Sequence, residues 1–106
     1  MRIFRHKDMI NGWIVGDFDP TCFKTNACEV AVKNYKSGET EAEHYHKIAT
    51  ELTMVVSGKV RMMNETWSAG DIIIVEPGEK TSFEALTDVT NVVVKLPGVL
   101  NDKYID

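Results

Sequence analysis

Short runs rich in valine, isoleucine and threonine recur along the chain between turn signals, and no window of about 11 residues or more holds a helical period. The pattern predicts strands near 2–5, 12–16, 27–36, 42–47, 51–57, 59–63, 71–76, 80–86 and 90–96. The segments "DFDPT", "KSGE", "SG", "NE", "SAG", "PGE" and "TD" separate them as turns, and the tail "LPGVLNDKYID" reads as irregular. Closely spaced strands joined by tight turns suit an all-β sandwich or barrel, and closure into a barrel would remove the exposed edges of so small a sheet. Along 51–57, Glu51, Thr53, Val55 and Ser57 share one face while Leu52, Met54 and Val56 share the other. If Glu51 faces the interior, the second face needs cover, either from residues 2–16 or from a second copy of the chain. A homodimer is the expectation.

With 106 residues, 43% of them hydrophobic, the chain fits one domain spanning 1–106 with a modest core. The formal net charge is −4 and the basic residues are scattered, which argues against nucleic acid as a partner. The start "MRIFRHKDMINGW" is too polar for the apolar centre of a secretory signal, and no later run approaches the roughly 18 apolar residues of a membrane span. A soluble, cytoplasmic protein without a membrane partner follows as the expectation. Cys22 and Cys28 are too few for a disulfide scaffold and lack the spacing of zinc or redox pairs, so they read as reduced thiols.

The stretch "HYHKIATE", residues 44–51, carries the candidate chemistry. In a strand, His44 and His46 would project from one face with Cα atoms about 6.6 Å apart, and a strand beginning at Glu51 can return its carboxylate beside them. Two imidazoles and one carboxylate make a facial ligand set with positions left open for water or substrate. The spacing alone also fits half-exposed strand histidines without any ligand role.

The wider frame narrows the choice. "GETEAEHYHKIATELTMVVSG" runs Gly38, five residues, His44-x-His46, four residues, Glu51, six residues, Gly58. It resembles the first motif of the cupin superfamily, G-x5-H-x-H-x4-E-x6-G, with no position missing. A second motif, G-x5-P-x-G-x2-H-x3-N, is matched only in part: Gly70 and Gly78 fit, Glu76 stands at the proline with Pro77 one place later, Thr81 at the histidine and Ala85 at the asparagine. The resemblance covers about half the chain and implies a double-stranded β-helix (jelly-roll) barrel, with a divalent metal (Zn, Fe, Mn or Ni) held by His44, His46 and Glu51. The usual fourth ligand is missing, and Thr81 would stand near the ion without coordinating it.

Other residues stay secondary. His6 is the remaining histidine and is expected at the surface. Met62, Met63, Trp67, Phe83 and Trp13 suit a core more than a pocket. Arg61, Lys33 and Lys95 lie on predicted strands, where cations usually point to solvent. Tyr35 and Glu43 are the conceivable bases.

Two functions compete. One is a metal-dependent enzyme acting on a small polar metabolite, a sugar or carboxylate, by isomerase, lyase or dioxygenase chemistry. The other is a metal-free cupin that binds a sugar or other small molecule without turning it over.

Overall fold

A computed structural model of the chain describes residues 1–105. After a 3-10 turn at His6–Asp8, the chain forms β1 (Trp13–Val15), β2 (Glu29–Tyr35), β3 (Thr40–His44), β4 (Thr50–Ser57) and β5 (Lys59–Met62). It continues through β6 (Glu65–Ser68), β7 (Ile72–Val75), β8 (Thr81–Ala85) and β9 (Val89–Leu96). One sheet has the order β1-β2-β9-β4-β7 and the other β3-β8-β5-β6. The strand pairs are antiparallel, and the chain repeatedly crosses from one sheet to the other, giving a double-stranded β-helix.

Two expected elements differ. Residues 2–5 form no strand and are exposed. The segment between the "NE" and "SAG" turns, Glu65–Ser68, is a strand: it pairs with β5 from Lys59↔Ser68 to Met62↔Glu65. Met63 and Asn64, both at positive φ (54° and 61°), close this hairpin in a two-residue turn that follows the strand twist. Its polar, mostly exposed sequence is that of an edge strand, which is why it lacks an apolar signature.

The interior divides lengthwise. At one end Val55, Val60, Met62, Ile73, Val75, Phe83, Ala85 and Val89 form the apolar core, drawn from both sheets, with Tyr35, Met63 and Trp67 packed against it. At the other end the inward positions of the larger sheet turn polar. The register sets Glu51, Lys95 and Glu29 side by side across β4, β9 and β2. Thr53, Val93 and Ala31 form the next row, then Val55, Asn91 and Lys33. The outward rows of the same sheet are apolar: Ile74–Leu52–Val94–Val30 and Ile72–Met54–Val92–Val32. Ile72 and Ile74 are 57% and 54% exposed and Val56 46%, so residues 2–16 do not close over this face.

Gly58 links β4 to β5 at φ 89°, and a Cβ there would lie 2.2 Å from the Asp88 carbonyl oxygen. Gly38 has a similar φ of 92° with nothing within 4 Å of the same position. Gly58→Ala should therefore cost about 1–3 kcal/mol of stability in urea denaturation, and Gly38→Ala only the left-handed backbone term of about 1–2 kcal/mol. Equal losses would show that the Asp88 contact imposes nothing.

Candidate metal centre

His44 is the last residue of β3 and stands opposite Thr81 of β8. A break in register between Glu41 and His44 turns its side chain inward, the usual effect of a bulge. The strand expected over 42–47 stops here: Tyr45 makes a single bridge to Tyr104, and His46 lies beyond any strand. The two rings still converge, with centroids 5.4 Å apart and planes at 84°. Glu51, near the start of β4, brings its Oε2 to 3.0 Å from His46 Nε2. One ligand atom from each of His44, His46 and Glu51 lies within 4.8 Å of the others, and both histidines are buried, at 8% and 5% exposure.

Each imidazole is oriented from behind. His44 Nδ1 donates to the Ala42 carbonyl at 3.0 Å, and His46 Nδ1 donates to the Asp102 carbonyl at 2.7 Å. A carbonyl only accepts, so each Nδ1 carries a proton and each Nε2 is left as the ligating atom. The Asp102 carboxylate then accepts from the backbone N–H groups of Lys47 (3.0 Å), Ile48 (3.1 Å) and Ala49 (2.9 Å), pinning the connection that carries His46. Burial pushes the Asp102 carboxyl up, and these three donors outweigh it and hold it below the ordinary range. Tyr104 completes the clasp by stacking on Tyr45 and lying under the Lys47 ammonium. The tail expected to be irregular thus builds half of the site.

The donor set fits a divalent cation. With Nδ1 bonded to a carbonyl, His46 Nε2 faces a carboxylate oxygen, a contact that is attractive only with a proton or a cation between the two atoms. Two atoms each about 2.1 Å from one ion at a right angle lie about 3.0 Å apart, the separation found here. Burial raises the Glu51 carboxyl, but a proton shared with His46 Nε2 and the positive charge it brings, aided by Lys95 and His44, hold it below the ordinary range, and a cation in the proton's place would act in the same sense. It is ready to ligate as an anion. Thr81, 5% exposed, lines the same cavity, and its hydroxyl donates to the Ser82 carbonyl at 3.0 Å, which leaves the oxygen lone pairs free.

The cavity behind these ligands has a volume of about 330 Å³. Met62, Phe83 and Trp13 line it, whereas Met63 and Trp67 belong to the core end. Lys33 and Lys95 face into it, against the expectation that strand cations point outward, while Arg61 is exposed as expected. His6 stays exposed, its Nε2 against the Val32 carbonyl at 2.6 Å. Of the two conceivable bases, Glu43 is exposed and outside the cavity; Tyr35 lines it and donates a short hydrogen bond to Glu41. Sequence reasoning missed Glu29, Glu41, Asn91 and Asp102. Glu29 and Asn91 share inward parity with the buried Ala31 and Val93, a signal usable only once the inward face is known.

The Asp102 carboxyl titrates lower in the folded chain than in the unfolded one. Its contribution is thus complete at neutral pH and lost as the pH falls below the ordinary carboxylate value of about 4. Amide protection at Lys47, Ile48 and Ala49, corrected for intrinsic exchange, should hold at neutral pH and fall in acid, and Asp102→Ala should lose it already at pH 7. Protection in that variant equal to wild type would remove Asp102 as the clasp.

No family model and no curated protein matches the chain. Solved structures do. An uncharacterized conserved protein with a double-stranded β-helix domain from Klebsiella pneumoniae is 27% identical, with a TM-score of 0.66 over 70% of this chain and 66% of that one. A sugar phosphate isomerase from a cupin superfamily, from Silicibacter pomeroyi, is 22% identical with a TM-score of 0.62, over 66% of this chain and 50% of that one. The DMSP lyase DddQ from Ruegeria pomeroyi is 16% identical with a TM-score of 0.66, over 84% and 46%. The chain matches from under half to about two thirds of the length of these structures. It carries a double-stranded β-helix, the fold implied by the resemblance of its histidine–glutamate motif to that of cupins.

Proposed function

We propose that the chain is a metal-dependent enzyme acting on a small polar metabolite, with one divalent ion (zinc, iron, manganese or nickel) held by His44, His46 and Glu51. The observation that carries this reading is the convergence of two oriented imidazoles and an anionic carboxylate at the wall of a partly open cavity of mixed polar and apolar lining. Such an ion would act as a Lewis acid on a substrate oxygen, and an open position is what the absence of a histidine at residue 81 leaves for it. The Silicibacter protein is a sugar phosphate isomerase and the Ruegeria protein a DMSP lyase, which supports chemistry of those classes on a sugar or carboxylate.

The chain's own groups divide the work of proton transfer. Burial and the hydrogen bond to Glu41 raise the Tyr35 phenol far above its ordinary range, so it keeps its proton. Glu41 is the partner able to take one up. Phe83, Met62 and Val93 supply apolar wall that limits water at the reacting centre.

Elemental analysis of protein purified without added metal should find a near-stoichiometric divalent ion. His44→Ala/His46→Ala should abolish it, together with the stabilisation of about 2.7 kcal/mol expected at a free metal concentration of 100 Kd. Thr81→His should tighten binding by supplying a fourth imidazole. Wild-type metal content in the double variant would end the assignment; no bound metal in either protein would favour a metal-free binding cupin.

The working form is a homodimer in the cytoplasm. The two free cysteines agree with a reducing compartment, and no helix among the described residues is long and apolar enough to cross a membrane. The dimer rests on the outward rows of the larger sheet, whose Ile72, Ile74 and Val56 lie open beside Leu52 and Met54. A contiguous apolar face of this kind favours association. Light scattering at micromolar concentration should give about twice the 11.9 kDa chain mass, and Met54→Lys should give the monomer. A monomeric wild type rejects the dimer, and a dimeric variant rejects this face.

A further inference from the structure

Two buried side-chain acceptors in the wall of the barrel have no hydrogen-bond donor among the described residues: Glu29 Oε2 and Asn91 Oδ1. Both residues line the cavity, at 5% and 2% exposure. Leaving such an atom dry costs about 1–3 kcal/mol each, so two in one cavity call for something that donates. The Lys95 ammonium does not serve, since it lies 3.9 Å from the other Glu29 oxygen, beyond hydrogen-bond reach.

Cations stand next to these acceptors. Lys33 is the strand partner of Asn91, and Lys95 that of Glu29. The two ammonium groups lie 5.2 and 5.5 Å from the centre of the Trp13 ring, which positions them at the cavity wall. Lys95 is flanked by Glu29 and Glu51, whereas Lys33 has no ion pair among the described residues. The ionised groups lining the cavity balance: Glu29, Glu41 and Glu51 against Lys33, Lys95 and Lys103. A divalent cation at His44, His46 and Glu51 would leave that lining at about +2, a field that draws in an anion.

We propose that the cavity binds a small hydroxycarboxylate, its carboxylate received by Lys33 and its hydroxyl groups donating to Glu29 Oε2 and Asn91 Oδ1. A simple dicarboxylate would satisfy the cation and leave both acceptors orphaned; a neutral polyol would do the reverse. A volume of about 330 Å³ equals roughly eleven waters at their liquid volume, which is room for a ligand of about ten non-hydrogen atoms. This substrate class rests on the metal-dependent reading for its net attraction, but the recognising residues are distinct from the metal ligands.

Calorimetric titration with tartrate, malate and succinate, which share a four-carbon chain and carry two, one and no hydroxyls, tests it. Metal content is measured in the same samples. Wild type should prefer tartrate over succinate by at least tenfold, with malate between them. Lys33→Met should lose about tenfold in affinity for all three while keeping its metal. Glu29→Gln and Asn91→Leu should narrow the tartrate-to-succinate ratio in protein that still melts cooperatively. Equal affinity for tartrate and succinate would overturn the proposal, as the acceptors would then be served by water alone. Tartrate binding unchanged in both Lys33→Met and Glu29→Gln would also overturn it, as the acid would then be held only by the ion. Hydroxyl preference and Lys33 dependence in protein free of metal would instead support the ligand class while removing the metal-dependent reading.

Discussion

The three hydrogen bonds from the backbone of Lys47, Ile48 and Ala49 to the Asp102 carboxylate are the constraint on which the site depends. His46 sits outside any strand, so no ladder of backbone bonds fixes it. Successive N–H groups turned toward one point form a small cationic nest, and a carboxylate is the group that fills it best. Once Asp102 is seated, its own carbonyl lies at 2.7 Å from His46 Nδ1, so a single residue fixes both the loop and the tautomer of the ring. The Gly78 N–H, donating to the His46 carbonyl at 2.7 Å, ties the turn of the second motif to the same residue. Backbone from distant parts of the chain thus meets at one histidine, Gly78 at its carbonyl and Asp102 at its ring.

That constraint allows the larger sheet to reverse the ordinary distribution of polarity. Glu51, Lys95 and Glu29 face inward in one row while valines, leucine and isoleucines face outward. Charged groups held inside are costly unless paired, and alternation of sign across the row is the arrangement that limits the cost. The cohesion of the barrel comes from its other end, where Val55, Val60 and Ala85 are fully enclosed. A packed end and a polar end lie along the same strands and meet at Met62, Phe83 and Tyr35, which line the cavity and pack on the core at once.

The same reversal explains what the sequence could and could not convey. The histidines and Glu51 were legible because their spacing matches a known motif, although the side chains meet only with the register break before His44 and the Asp102 clasp on the loop that carries His46. The strands were legible from valine, isoleucine and threonine, except where Glu65–Ser68 is polar on an edge and where residues 2–5 form no strand. The facing of β2 was not legible: in Glu29–Val30–Ala31–Val32–Lys33 the stronger apolar stripe points out, so a rule of apolar-in gives the wrong face. Asp102 was hidden for a different reason. Its partners lie more than 50 positions away, and a lone aspartate in a tail of turn residues carries no local mark of its role.

Thr81 ties these features together. It stands directly across from His44 in the β3–β8 register, where an imidazole would close the ligand set, and it offers a hydroxyl that is already committed to a neighbouring carbonyl. With three protein ligands of total charge −1, a divalent ion keeps about one unit of positive charge and at least one open position. Any ligand that fills the position and brings a negative charge raises the affinity of the ion, and by linkage the ion raises the affinity of that ligand by the same factor. On the proposed metal-dependent reading, a threonine at residue 81 would therefore shift part of the work of holding an ion from the protein to the molecule in the cavity. The inward lysines would then favour metal binding indirectly, by favouring an anion able to complete the coordination.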